Sequence, residues 1–393
     1  MFRIQTLNQI AVKGLECFPR DRYEIASELS DPDAILLRSH KLGADAAGQR
    51  LRAVARAGAG VNNIAVDHFT EIGIPVFNTP GANANAVKEL VLAALLIGTR
   101  GILEGIQWTR SLDETDPDAM HRLVEAEKKT FRGRELAGKT LGVVGLGAIG
   151  SKVAHMALGL DMKVIGYDPA LSVEAAWRLP SEVGRMESLG ALMARADYIT
   201  LHLPLLDATR NLINADMLNA VQPGARLLNF AREGIVDDDA AVEALKEGRL
   251  GGYLTDFPSP KLQGVEGVVA MPHLGASTVE SEENCAVMAS RQLIDFLENG
   301  NIVNSVNFPT LVLERAGGHR LALTNRNVPR MLGNVLAVLS ERDINVIDML
   351  NKSRENLAYN LLDLEVEPSA DTLQKLQEIE GVINVRMVPD PAS

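Results

Sequence analysis

Two loop residues in this chain could together hold an alcohol substrate and take its hydroxyl proton. Arg232 stands in Leu228-Asn-Phe-Ala-Arg232-Glu-Gly, and His273 stands in Met271-Pro-His273-Leu-Gly-Ala-Ser-Thr278. A guanidinium holds a carboxylate in a fork and polarises a forming carbonyl, while an imidazole takes a hydroxyl proton near neutral pH. Alcohol oxidation by a nicotinamide needs both, because the cofactor performs only the hydride step. A site for such a cofactor is written in Leu141-Gly-Val-Val-Gly145-x-Gly147-x-x-Gly150. There a short apolar strand runs into Gly145, Gly147, Ala148, Ile149 and Gly150, and a helical pattern follows through Val153, Met156, Ala157 and Leu160. A second strand, Val164–Tyr167, ends in Asp168, where a carboxylate can accept from a ribose 2′-hydroxyl and would repel a 2′-phosphate. The motif therefore predicts NAD rather than NADP.

Elements that would position these loops recur along the chain. Before the glycine motif, Ala34–Leu37 leads into Arg38-Ser39, Leu51–Ala57 into Gly58-Ala59-Gly60, and Gly73–Phe77 into the loop holding Asn83. Short apolar runs ending in Gly, Asn or Pro turns are the pattern of a parallel sheet with functional loops at its C-terminal edge. An apolar helix over 87–97 then carries the chain into the nucleotide domain, and the charged, helical stretch 111–134 reads as surface. After Asp168 the pattern continues with strands at Tyr198–Leu201, Ala225–Asn229 and Val268–Met271. A helix over 237–247 lies among them, and a long helix over 279–298 returns to the first lobe. Pro309 and Gly317-Gly318 mark a linker between 304 and 320. The remainder reads strand, helix, strand, strand, helix, strand, with Leu362, Leu364 and Val366 alternating with Asp363 and Glu365. The expected architecture is α/β. A flavodoxin-like substrate domain (1–89 and 279–306) and a Rossmann-type doubly wound NAD domain (90–278) form two lobes, and a ferredoxin-like βαββαβ domain (319–393) follows.

Composition narrows the function. The chain has 393 residues, 46% of them hydrophobic and 23% charged, as in a globular protein. A net charge of −12 argues against a nucleic-acid or anionic-membrane surface, which would need a broad basic field. Only Cys17 and Cys285 occur, so neither a disulfide framework nor a Cys-based metal site is expected. No bilayer-spanning stretch or signal peptide is apparent, so a cytoplasmic location is the expectation.

On these residues the chain up to about Asn304 resembles the D-isomer-specific 2-hydroxyacid dehydrogenases, and the C-terminal βαββαβ unit resembles an ACT regulatory domain. The resemblance implies that Arg232 binds the substrate carboxylate and carbonyl, that His273 is the acid–base, and that Asp256 and Ala231 touch the cofactor. It implies substrate contacts from Arg38, Ser39, Gly58, Ala59, Gly60 and Asn83. The implied reaction is oxidation of a small anionic substrate, 3-phospho-D-glycerate, to 3-phosphohydroxypyruvate, the first step of L-serine biosynthesis. Arg38, His40 and Lys41 are candidates for its phosphate. Glycerate or hydroxypyruvate as substrate, and a non-catalytic NAD-sensing role, are the alternatives. In the C-terminal unit the resemblance places L-serine against Asn325, Asn327 and Asn345, and it implies a homo-dimer or homo-tetramer.

Two positions depart from the family pattern. The glutamate that should follow the Asp-x-Phe stretch is absent: Phe257 precedes Pro258-Ser-Pro-Lys261, and Glu266 is the next carboxylate. Asp256, Glu266 or no residue would then partner His273. Glu233 replaces the usual glycine after Arg232, bringing a carboxylate able to pair with it. His202 reads as a strand-end histidine bonded to backbone, and Trp108 and Trp177 as packing residues.

Overall fold

The computed structural model describes residues 1–390, the side chain of Glu174 excepted. By internal contacts the chain forms two compact units, one of 1–83 with 279–393 and one of 84–278.

The first unit opens with five parallel strands, β1 (Phe2–Leu7), β2 (Tyr23–Ala26), β3 (Ala34–Leu37), β4 (Ala53–Arg56) and β5 (Val76–Phe77), in the order β2-β1-β3-β4-β5. This is the flavodoxin order. β3 is buried along its whole length, which is why it reads as an unbroken apolar run. The 21-residue helix Val279–Asn299 packs beside this sheet through Cys285, Ala286, Ala289, Leu293, Phe296 and Leu297.

The second unit holds seven parallel strands: β6 (Thr140–Val144), β7 (Lys163–Tyr167), β8 (Gly184–Arg185), β9 (Tyr198–Leu201), β10 (Ala225–Asn229), β11 (Leu250–Thr255) and β12 (Val268–Ala270). Their order, β12-β11-β10-β9-β6-β7-β8, reverses between β6 and β9, which creates the crevice of a dinucleotide fold. β1, β2, β8 and β11 are absent from the sequence reading. In β11, Gly251-Gly252 interrupts the apolar run that would mark a strand. Helix Ala84–Thr99 buries Val87, Val91, Ala94 and Leu95 against this unit. Among the described residues, no helix is long and apolar enough to cross a membrane.

The C-terminal strands β13 (His319–Arg326), β14 (Val346–Arg354), β15 (Leu357–Leu364) and β16 (Val382–Val388) form an antiparallel sheet in the order β14-β15-β13-β16. With helices Met331–Ser340 and Ala370–Glu378 this is a ferredoxin-like sandwich. Its second face is not solvated. Ala322, Leu357, Tyr359, Leu361 and Val388 share one core with Ile4, Phe296, Phe308 and Leu311 of the first lobe. The alternation read in β15 is therefore corrected. Asp363 is buried and forms a two-pronged pair with Arg320, Nε to Oδ1 at 2.7 Å and Nη2 to Oδ2 at 2.8 Å. Arg320 also donates to the carbonyls of Asn299, Leu313 and Glu314. The expected linker is instead a packed strap, with Phe308 and Leu311 buried and Ile302 bridged to Leu311.

Candidate active site

At the end of β6 the chain turns through Gly145, whose φ of +89° favours glycine and whose N–H donates to the Tyr167 carbonyl at 2.9 Å. A Cβ at Gly150 would fall 1.9 Å from the Gly145 carbonyl oxygen, so this residue lets helix Ala148–Leu158 lie against the turn. A Cβ on Gly147 would meet nothing within 4 Å, and no side chain caps the helix behind it. Among the described residues the amides of Ala148 and Ile149 have no acceptor, and they stand at the positive end of a helix dipole, which suits a pyrophosphate. Asp168, at the end of β7, accepts from Leu146 N–H through Oδ2 and from Ala170 N–H through Oδ1, both at 2.9 Å. Those bonds fix the carboxylate beside the glycine turn while lone pairs remain for ribose hydroxyls. A cavity of about 870 Å³ opens beside it, lined by Leu146, Tyr167, Asp168, Trp177 and Met186. That volume suits a nucleoside, and these residues fit NAD. Trp177, expected to pack, is 85% exposed on the cavity rim, whereas Trp108 does contact a ring, that of Phe131.

Arg232 and His273 follow β10 and β12, which flank β11. At ordinary strand spacing their strand ends lie about 10 Å apart on one sheet edge. Asn229 shapes the first loop: its Oδ1 accepts from Ala231 N–H at 3.2 Å and its Nδ2 donates to the Arg232 carbonyl at 3.0 Å. The Arg232 guanidinium donates to the Ala231 carbonyl at 2.7 Å, and burial lowers its pKa from the usual value. Glu233 does not pair with it; among the described residues Arg232 forms no ion pair. Its charge is free for an anion.

His273 adopts a φ of +57°, a left-handed conformation that a β-carbon makes costly. The loop is held by Asp256, whose two carboxylate oxygens accept from Leu274 and Gly275 N–H, each at 2.7 Å. His273 N–H donates to the Asp256 carbonyl at 3.1 Å, and the imidazole stands edge-on to Phe257 at 5.1 Å. Asp256 grips the turn rather than the ring, and Glu266 is exposed with no bond to the imidazole. His202 is corrected too. Its Nε2 lies 2.9 Å from Thr200 Oγ1 rather than on backbone, and its Nδ1 is buried without a partner. Burial pushes its pKa down to about 3, so it stays neutral.

The first unit gathers its own set at the C-terminal edge of its sheet. Arg38 and Ser39 follow β3, Gly58 to Gly60 follow β4, and Asn83 lies beyond β5. Arg56 ties two of these loops, donating through Nε to the Arg38 carbonyl at 2.9 Å and through Nη1 to the Gly60 carbonyl. Sequence reasoning passed over Arg56, although a cation closing a buried strand beside a glycine turn was a usable signal. Asn78 holds the Ala59 carbonyl at 2.6 Å, leaving the Ala59 and Gly60 amides with no protein acceptor among the described residues. Asn83 Oδ1 is buried and unpartnered. Arg38 is paired with Glu282 at 2.8 Å. His40 and Lys41 are exposed beside it.

The effector residues do not converge within one chain. Asn325 is buried, its amide taken up by Asn360 at 2.8 Å and by the Arg326 carbonyl at 2.6 Å. Asn327 holds the Glu355 carbonyl. Asn345 precedes β14 at the opposite end of the sheet, since Val346 and His319 both align with Leu364 while Arg326 aligns with Leu357.

Residues 93–275 match the family described as "D-isomer specific 2-hydroxyacid dehydrogenase, NAD binding domain". The D-3-phosphoglycerate dehydrogenase of Methanocaldococcus jannaschii is 33% identical over 336 residues, covering 83% of this chain and 61% of that protein. The chain thus spans under two thirds of that relative's length. The D-3-phosphoglycerate dehydrogenase of Haemophilus influenzae is 31% identical over 407 residues, covering 98% of this chain and 94% of that protein. Among solved structures, the NAD⁺-bound 3-phosphoglycerate dehydrogenase of Entamoeba histolytica matches with a TM-score of 0.63 at 28% identity. That match covers 79% of this chain and 99% of that one. With its dinucleotide turn, its arginine loop and its histidine loop on one sheet edge, the chain belongs to the D-isomer-specific 2-hydroxyacid dehydrogenase family.

Proposed function

We propose that this chain is a D-3-phosphoglycerate dehydrogenase, oxidising 3-phospho-D-glycerate to 3-phosphohydroxypyruvate with NAD at the entry to L-serine biosynthesis. The observation that carries this reading is an uncompensated guanidinium, Arg232, on the same sheet edge as the His273 loop and the glycine turn. Bound NAD supplies the hydride acceptor. The amides of Ala148 and Ile149 hold its pyrophosphate, and Asp168 its ribose. Arg232 takes the substrate carboxylate and polarises the oxygen that becomes a carbonyl, and the imidazole of His273 accepts the hydroxyl proton. Asn83 and the Ala59 and Gly60 amides add polar contacts. Arg38, His40 and Lys41 are the candidates to meet the substrate phosphate.

An NADH absorbance assay over a panel of 2-hydroxy and 2-keto acids tests this. Turnover should favour 3-phosphoglycerate, fall by orders of magnitude in His273→Ala, and lose both kcat and substrate affinity in Arg232→Ala. NAD binding without turnover of any 2-hydroxy acid would instead make the chain a nucleotide sensor. For the C-terminal domain we propose effector sensing in a homo-dimer or homo-tetramer, with L-serine as the ligand to try first. Asn327 of one copy and Asn345 of another would offer the amides. Calorimetry on the full chain at millimolar serine decides it.

A further inference from the structure

The first lobe and the C-terminal sheet share a small polar cavity that the proposed chemistry does not use. Arg52, just before β4, and Arg386, in β16, both line it, with Thr324, Tyr359 and Asn384 as polar walls and no carboxylate among the lining residues. Arg386 lies over the Phe296 ring, 4.3 Å from its centroid, and its Nη2 donates to the Phe296 carbonyl at 2.9 Å. Its Nη1 is buried without a partner. Burial, and then the charge of Arg386, lower the pKa of Arg52. Asp33 compensates only in part: it stands 3.6 Å from Arg52 Nε and is shared with Arg50 at 3.1 Å. Two like charges thus face one space, where the uncharged Tyr359 hydroxyl is the side-chain partner of Arg386 and Nη1 keeps no acceptor at hydrogen-bond geometry.

We propose that this cavity is a binding site for one small monovalent anion of the halide class, chloride in ordinary buffers, held by Arg386 Nη1 and the Arg52 guanidinium. About 10 Å³ at its centre is open to a water-sized particle, so the cavity takes a single small occupant. A water molecule would satisfy the orphan N–H but leave the two guanidiniums repelling each other. An anion satisfies both, and it joins the lobe that carries Arg52 to the domain that carries Arg386. This inference is independent of the catalytic reading.

The test is diffraction from crystals of the full chain grown or soaked in bromide. An anomalous peak between Arg52 and Arg386 is expected. Only non-anomalous, water-like density there would overturn the proposal. In solution, replacing gluconate by chloride at fixed ionic strength should raise Tm by about 3 °C once chloride exceeds its Kd tenfold. Arg386→Met should lose that difference, and equal melting in both salts for the unaltered protein also overturns the proposal. If the variant does not fold, the bromide map decides alone.

Discussion

Asp256→Asn separates two jobs that one carboxylate could perform. The residue is 1% exposed, and both its oxygens accept backbone N–H groups of the His273 turn at 2.7 Å. An amide of the same shape keeps one acceptor and points a donor at the second N–H. Leaving a buried N–H unpaired costs about 1–3 kcal/mol, and the surviving bond loses its charge assistance, so about 2–4 kcal/mol is expected in all. For a unit of this size that lowers Tm by about 5–10 °C. Because Asp256 positions the His273 backbone and does not touch the ring, the loosened turn misplaces the imidazole. A displacement of about 1 Å costs roughly 100-fold in kcat, with little change in KM for either substrate. Calorimetry and steady-state kinetics on the folded variant supply both readouts. If Tm and kcat hold and only the NAD KM rises, the carboxylate works on the nicotinamide and the argument from the turn is wrong.

His202→Gln reports on acid stability. With a folded pKa of about 3 against about 6.5 unfolded, only the unfolded chain takes up the proton between those values, so stability falls as pH drops, by about 1.4 kcal/mol per unit. Urea melts at pH 7 and pH 5 should therefore differ by about 2 kcal/mol less in the variant; an unaltered difference shows that His202 does not contribute. Glu282→Gln frees Arg38 from a partner at 2.8 Å. Since a half-exposed pair is worth under about 1 kcal/mol, the KM for 3-phosphoglycerate should fall about 2–5-fold, and an unmoved KM removes Arg38 from the binding set. Arg330 sits at φ 74° before helix Met331–Ser340, where a side chain costs about 1–2 kcal/mol. Arg330→Gly should therefore stabilise by about 0.5–1 kcal/mol after the added chain entropy, and a lower urea midpoint would contradict that.

The dinucleotide turn was legible because its requirements are local: three glycines, a helix behind them and an acid one strand later. The Arg232 and His273 loops were legible for a related reason, since each follows a short apolar strand of one parallel sheet. The rest depended on partners distant in sequence. Asp363 looked like a solvent-facing residue of an alternating strand, and Arg320, packed against it from β13, together with the Ala316 N–H lets it be buried. Asn325 looked free to bind a ligand until Asn360 of the neighbouring strand claimed its amide. Gly317-Gly318 suggested a linker, but the preceding residues Phe308 and Leu311 fill the core beneath it. No periodicity in one segment reveals such neighbours.

Continuity of that core has a consequence for anyone dissecting the protein. Phe296, Ile302, Phe308 and Leu311 have the back of the antiparallel sheet as part of their cover. A fragment stopped near residue 318 would not be a trimmed dehydrogenase carrying its native surface. It would begin with an oily wound, and it should precipitate or cling to chaperones before any assay could ask what the missing piece regulates.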